Sequence, residues 1–456
     1  MASATDMAGQ AGEGARGWQE PLETRRKSAI KGAFFSEYID MFDIYLPVVA
    51  LAPVMFVFQP QNLSAAAQTV LASLVFITTL LGRPIGALIF GMVADKVGRR
   101  AASIYSVSGF GVVTLLIALL PGYETLGLTS YILLVLLRFV DGIFLGGGYT
   151  GAMPLAIEYS KKSQRGFVGG LILAGFPAAY VSINIITALM FWLAPLDGPG
   201  SAYATWGWRV PFVFGAILAG VLALYYTHKV SESEVWKQKE GEIEEAEKLP
   251  LSSLLKGQSG RNLLQVLILM TGFWLTQNII TIYLPTGMLV HTLHLSGFEL
   301  TTTLMITYVV LFFSYIGSGM LGQVIGRRTF FAIAGPLIAT VGAYLFYLLG
   351  HSPEMSFAAR TFLVVVLAVL VTSPWGVIVT YINERFVTDV RATGFGIGFS
   401  LSVVLPSFYA FYMDGLSAFM PLALTPVVLL VIGGLIGMTG ALMGPETKDV
   451  DFGLEE

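Results

Sequence analysis

Gly91-Met92-Val93-Ala94-Asp95-Lys96-Val97-Gly98-Arg99-Arg100 packs an apolar helix end, an acid, a turn glycine and two arginines into ten residues. The pattern returns as Gly319-Met320-Leu321-Gly322-Gln323-Val324-Ile325-Gly326-Arg327-Arg328, offset by 228. A second pair recurs at nearly the same distance. Glu158 precedes Arg165 by seven residues and Glu384 precedes Arg391 by seven, an offset of 226. Two motifs with nearly equal offsets describe a chain built as two related halves. Repeated halves with a site between them are the architecture of secondary transporters.

The composition agrees. Of 456 residues 55% are hydrophobic and 12% are charged, roughly half the charge of a soluble domain. Twelve helices of about 21 residues absorb that apolar share. Apolar runs fall near 30–58, 66–93, 100–120, 129–159, 165–193 and 208–228, then 261–289, 298–323, 329–349, 357–383, 392–415 and 420–443. The expected division is a tail over 1–27, a six-helix bundle over 28–228, a polar linker over 229–260, a second bundle over 261–443 and a tail over 444–456. Residues 1–27 do not read as a secretory signal, because the apolar stretch behind them is too long for a cleaved segment. Nucleic-acid binding, disorder and ordinary soluble catalysis are excluded on these grounds, and a bilayer is the expected solvent. There is no cysteine, so disulfides and thiolate chemistry are excluded.

Basic residues set the orientation. They gather at Arg25, Arg26, Lys27 and Lys31, at Lys96, Arg99 and Arg100, at Lys161, Lys162 and Arg165, in the linker, at Arg327 and Arg328, and at Arg385 and Arg391. The alternate loops 58–66 and 121–130 carry none. The positive-inside rule therefore places both termini and the linker in the cytoplasm.

The Gly91–Arg100 stretch resembles the loop motif of the major facilitator superfamily in every constrained position. Further pieces are similar to its metabolite:proton symporter branch, which includes bacterial α-ketoglutarate, shikimate, citrate and proline/betaine carriers. They are Glu37-Tyr38-Ile39-Asp40, Gly82-Arg83-Pro84-Ile85-Gly86, Pro121-Gly122-Tyr123-Glu124-Thr125, Arg138 with Gly142, Gly146 and Gly147, and Gly207-Trp208-Arg209-Val210-Pro211-Phe212. The resemblance implies an all-α membrane protein of twelve transmembrane helices in two six-helix bundles, in the bacterial inner membrane, working as a monomer. That branch usually carries Gln where Asp141 stands, and Gly-Gly-Glu-Tyr-Gly where this chain has Gly147-Gly148-Tyr149-Thr150; Asp43 is additional.

Ionisable groups at bilayer depth cost about 2.5–3.5 kcal/mol on insertion scales, so each needs a reason. Glu37, Asp40 and Asp43 recur at i, i+3 and i+6 in the first helix and share one side. Arg138 and Asp141 share a face of the fourth. Three acids against one arginine leave surplus carboxylate, which a proton can neutralise. Glu37, Asp40, Asp43 and Asp141 are thus the candidate proton-coupling residues, and Arg138 the candidate anion holder, with Arg83 read as lying near an inner helix end. The rival reading makes Arg138 a structural pair that locks the first helix to the fourth. Tyr45, Tyr149, Asn184, Gln277, Asn278 and Trp375 are candidate cavity linings, with Trp274, Tyr283 and Tyr381 beside them. Gly91, Asp95, Gly98, Arg99, Arg100, Glu158, Arg165, Glu384 and Arg391 form the candidate cytoplasmic gate. Gln323 replaces the acid of the second copy, so that side should be weaker. Arg209 is expected to cap an outer contact, and seven prolines (Pro47, Pro53, Pro154, Pro177, Pro285, Pro374 and Pro406) to interrupt their helices.

Glycine clusters at Gly146–Gly148 and Gly394–Gly398 follow no strand and read as close helix packing. His291 and His294 lack a third ligand, so neither a metal nor a cofactor is expected. No nucleophile–base pair or ATP-binding loop is present. The expectation is proton-coupled uptake of a small organic anion by alternating access. A zwitterionic osmolyte carrier is the alternative, disfavoured by the lack of an aromatic-rich cage. An exporter and a non-transporting sensor stand behind both.

Overall fold

The computed structural model describes residues 21–60, 65–233, 254–295, 297–352 and 354–452. Among the described residues, twelve helices are long and apolar enough to cross a membrane. They are α1 (Leu22–Val57), α2 (Ala65–Lys96), α3 (Arg99–Leu119), α4 (Leu128–Glu158), α5 (Lys162–Leu193) and α6 (Tyr203–Lys229) in the first half. The second half holds α7 (Gly257–Val290), α8 (Gly297–Ile325), α9 (Arg327–His351), α10 (Phe357–Arg385), α11 (Thr388–Ser417) and α12 (Leu422–Met443). The first helix begins at Leu22, so Arg25, Arg26 and Lys27 belong to its opening turns and not to a tail. Arg26 is buried there and donates to the Tyr159 carbonyl at 2.8 Å. The acidic run Glu242–Lys248 lies outside the described residues.

Proline explains most of the helix irregularities, because it removes a backbone donor and crowds the preceding turn. The α1 backbone changes to a π turn at Pro47–Leu51 and a 3₁₀ turn at Ala52–Val57. Its counterpart α7 changes at Ile279–Thr292, around Pro285. In α10 the break falls at Ser373-Pro374, and in α11 the segment around Pro406 is split into short pieces. Pro154 departs from expectation: α4 runs through it without interruption. It stands in the last turns of that helix, where few downstream bonds depend on it.

Each half closes on itself. In the first, α2 and α3 pack on α4, α3 on α6 and α1 on α5; in the second, α7 and α9 pack on α12. The tightest seam joins α2 to α4. A Cβ added to Gly82, Gly86, Gly142 or Gly146 would stand 2.4, 1.8, 2.1 or 2.2 Å from a backbone oxygen of the facing helix. Only glycine permits backbones this close, the usual means of packing helices where lipid offers no hydrophobic drive. The two bundles meet along α2 with α11 and α5 with α8. Gly91 packs there on Thr393, and Gly319 on Gly166.

Candidate functional site

The acids of α1 are all buried, and they do not share one arginine. Asp43 accepts from Arg138 Nη1 at 3.0 Å, and Asp141 accepts from the same nitrogen at 2.7 Å. Asp43 also accepts from Thr114 at 2.6 Å, and Arg138 Nε donates to Thr79 at 3.0 Å. Arg138 has no exposed surface and ties α1, α2 and α4 together inside the first bundle. Asp40 pairs instead with Arg83 of α2, which is 2% exposed. The expectation of three acids on one arginine is thus corrected to an Arg138–Asp43–Asp141 cluster and a separate Arg83–Asp40 pair. So is the reading of Arg83: α2 continues thirteen residues beyond it to Lys96, roughly 20 Å at helical rise, which puts Arg83 deep in the bundle.

The charges still do not balance. Four buried carboxylates, Glu37, Asp40, Asp43 and Asp141, face two guanidiniums. Among the described residues, Glu37 Oε2, Asp40 Oδ1 and Asp141 Oδ1 find no hydrogen-bond partner. Burying unpaired charge costs several kcal/mol per ion on the order-of-magnitude scale, so the surplus calls for a proton or a cationic group.

The Arg83 pair lies next to the bundle interface. Its guanidinium stands 4.9 Å from the ring centre of Tyr149, whose hydroxyl is hydrogen-bonded to Ser400 of α11. Phe399 lies 5.0 Å from the Tyr149 ring, and beyond it Trp274 and Trp375 meet edge to face at 4.4 Å. On the α5–α8 side, Tyr45 contacts Phe176 and Tyr180 at 5.4 Å each, and Tyr180 stacks on Tyr308 at 3.9 Å. Phe176 reaches Tyr308 at 5.6 Å and Tyr315 at 6.5 Å. Glu37 packs against Gly175, beside Phe176: a Cβ added at Gly175 would stand 3.2 Å from Glu37 Cγ. An aromatic-rich group therefore lines the interface, contrary to expectation. Its members come from α1, α5 and α8, and no local spacing announces that they meet.

The other proposed linings divide. Gln277 Oε1 and Trp375 Nε1 are buried without a hydrogen-bond partner among the described residues, and Gln277 Nε2 lies 3.5 Å from the Tyr315 hydroxyl. Asn278 is spent within the second bundle, donating to the Pro406 carbonyl at 3.1 Å. Asn184 donates to Tyr180 of its own helix at 2.8 Å. Among the described residues no group of three or more His, Asp or Glu is arranged to hold a metal ion.

The candidate gate residues lie at the basic end of the bundles, and most of them bond across the bundle interface. Asp95 accepts from the α11 backbone at Ala392 (3.2 Å) and Thr393 (2.9 Å), and from the Thr393 hydroxyl at 2.6 Å. It also pairs with Arg99 at 3.0 Å. A carboxylate against a helix N-terminus is favoured by the orphan N–H groups and the helix dipole. Arg99 crosses to the Thr388 carbonyl at 2.9 Å, and Arg391 crosses back to Glu158 at 2.8 Å. In the second copy Gln323 accepts from the backbone of Gly166 at 3.0 Å, and Glu384 holds Arg327 at 3.2 Å and Arg165 at 3.9 Å. Arg100 does not cross. It donates to the Tyr226 carbonyl at 3.0 Å and fastens α3 to α6. At the far end Arg209 donates to the carbonyls of Ala118 and Leu120 at 2.6 and 2.9 Å, the cap expected of it.

Gly98 and Gly326, at φ +124° and +100°, turn the chain where an L side chain is strained. Each leaves room for a carboxylate that the sequence reading missed. Glu232 accepts from the backbone of Arg99 at 2.8 Å, and Glu446 from that of Arg327 at 2.8 Å. Burial lifts the Glu232 carboxyl above its ordinary value despite these bonds. The next residues secure the gate acids: Ser233 donates to Glu158, and Thr447 to Glu384 at 2.7 Å. The only sequence signal was Glu followed by a hydroxyl residue shortly after each bundle.

The comparisons agree with this geometry. The Major Facilitator Superfamily profile matches residues 33–410. The inner membrane metabolite transport protein YhjE of Escherichia coli (strain K12) is 31% identical over 404 residues, covering 86% of this chain and 88% of that protein. The proline/betaine transporter of the same organism is 27% identical over 428 residues, covering 91% and 83%. The proton:xylose symporter XylE, solved with 6-bromo-6-deoxy-D-glucose, superposes with a TM-score of 0.74 at 20% identity over 94% of this chain and 97% of that one, which shows a common fold. Two six-helix bundles, a gate motif in each, and a profile match over most of the length make one conclusion: the chain belongs to the Major Facilitator Superfamily.

Proposed function

We propose that this membrane transporter carries a small zwitterion with an alkylated ammonium head, of the proline or betaine kind, together with a proton across a bacterial inner membrane. The observation that carries the reading is the aromatic group of Tyr45, Phe176, Tyr180, Tyr308 and Tyr315 beside the incompletely bonded carboxylate of Glu37. Ring faces and a carboxylate together suit a weakly hydrated cation. Arg83 suits the carboxylate of the same solute once Asp40 is protonated and releases it. Asp40 and Glu37 are then the proton-coupling groups, and Asp43, Asp141 and Arg138 hold the first bundle rigid. Proton and solute binding let the bundles rock, and the basic end opens toward the cytoplasm, where the positive-inside rule places it. The relatives named as proline/betaine transporters support the same class.

A small organic anion is the second reading, favoured by the buried Arg83. Counterflow in proteoliposomes separates the two. Preloaded glycine betaine or proline should exchange, and monocarboxylates or dicarboxylates should compete poorly. Exchange with carboxylates alone sinks the zwitterion reading. Asp40→Asn should keep counterflow and lose accumulation driven by a pH gradient; if accumulation persists, the coupling role belongs elsewhere.

A further inference from the structure

The chain beyond α12 returns across the basic end. Arg165 Nη1, at the start of α5, donates to the Val450 carbonyl at 2.6 Å, and Lys162 lies 3.9 Å from Asp449. Both anchors belong to the first bundle, whereas the segment issues from the last helix of the second. Phe452 then stands 3.8 Å from the Arg165 guanidinium and 3.9 Å from that of Arg391. Both guanidiniums thus lie over this one ring. Arg165 comes from the first bundle and Arg391 from the second.

We propose that Phe452 is an aromatic clamp that holds the basic end of the two bundles closed. The physics is direct. Arg165 and Arg391 carry like charge and approach each other across the bundle interface, which by itself favours separation. The ring offers negative π density to both. The same two arginines pair with acids of the opposite bundle, Arg391 with Glu158 at 2.8 Å and Arg165 with Glu384 at 3.9 Å. Phe452 therefore acts on two cations of opposite bundles that must separate when this end opens. When the bundles part, the ring can follow one guanidinium and must leave the other. The closed state alone has both contacts, so the clamp shifts the closed-to-open equilibrium whatever the transported solute is.

The chain has no cysteine of its own, so Lys161→Cys and Val387→Cys place one spin label on each bundle at exposed positions. Pulsed electron–electron distance measurement on the full chain in lipid nanodiscs, without substrate, reads the populations. The unsubstituted chain should show a close population. Phe452→Ala and Phe452→Leu should each lower the close-to-far ratio about 5- to 30-fold, the effect of the one cation–π contact between buried groups that opening loses, and Phe452→Trp should keep it within about twofold. The leucine variant fills space without a π face, so a wild-type ratio there overturns the clamp, as does an unchanged ratio in the alanine variant. A chain with no close population before substitution overturns it too. Because the measurement uses no substrate, failure of the zwitterion reading would leave this result standing.

Discussion

Asp95 and Gln323 occupy equivalent places, 228 residues apart, and each reaches across to the start of a helix in the other bundle. The acid takes three bonds there, two from backbone and one from Thr393, and pairs with Arg99 as well. The amide takes one from Gly166 and one from Arg327. Their partners differ in the same direction: Glu158 meets the cross-bundle Arg391 at 2.8 Å, and Glu384 meets Arg165 at 3.9 Å. One fold has been kept in both copies while the charge that works across the interface is concentrated in the first. The first copy spans the interface with close ionic contacts, and the second with an amide and a longer ion pair.

The largest effect should come from Glu158→Gln. It leaves Arg99 and Arg391 buried around a neutral group, at a cost of about 3–5 kcal/mol to the closed basic end. Cysteine labelling at the interface should show that end predominantly open, with Glu384→Gln less affected; equal opening in both breaks the asymmetry. Asp95→Asn comes next. It forfeits charge-assisted bonds of about 1.5–3 kcal/mol, and initial uptake at matched expression should fall tenfold or more. Gly98→Ala and Gly326→Ala test what the copies share. Each forces a side chain into left-handed backbone, at a cost of about 1–2 kcal/mol, and into Glu232 or Glu446, 2.2 and 2.3 Å from the added Cβ. Melting temperatures should drop by similar amounts; a drop in only one means that the caps are not equivalent. The smallest effect is a gain. Gln323→Glu restores a carboxylate, should add about 1 kcal/mol to the closed state, and should slow turnover a few-fold while leaving insertion intact. Unchanged turnover would show that the second copy has no part in gating.

Helices, halves and the cluster at the basic end were legible because each is written in local sequence: apolar runs of fixed length, a ten-residue motif and its echo. Arg83 was not, because its depth depends on where α2 ends, and helix ends are the least local feature of an apolar run. The aromatic group around Tyr180 and Tyr308 was invisible for a different reason. Those residues are 128 apart in sequence and meet only through the α5–α8 contact. The acid surplus could be read by counting, but the pairing within it could not. Spacing along α1 puts Glu37, Asp40 and Asp43 on one side without saying which arginine each faces.

The α2–α4 seam has a consequence for how such a carrier can diversify. Glycine is the smallest residue, so every replacement at Gly82, Gly86, Gly142 or Gly146 adds atoms where a backbone oxygen already stands within 2.4 Å. No larger residue fits there, and no change in a neighbouring side chain can make room, because the obstacle is main chain. Replacements at these four positions should therefore disturb packing whatever solute is carried, whereas side chains at the bundle interface meet other side chains, which can yield. What such a carrier moves can be altered residue by residue, but the line along which α2 and α4 touch cannot.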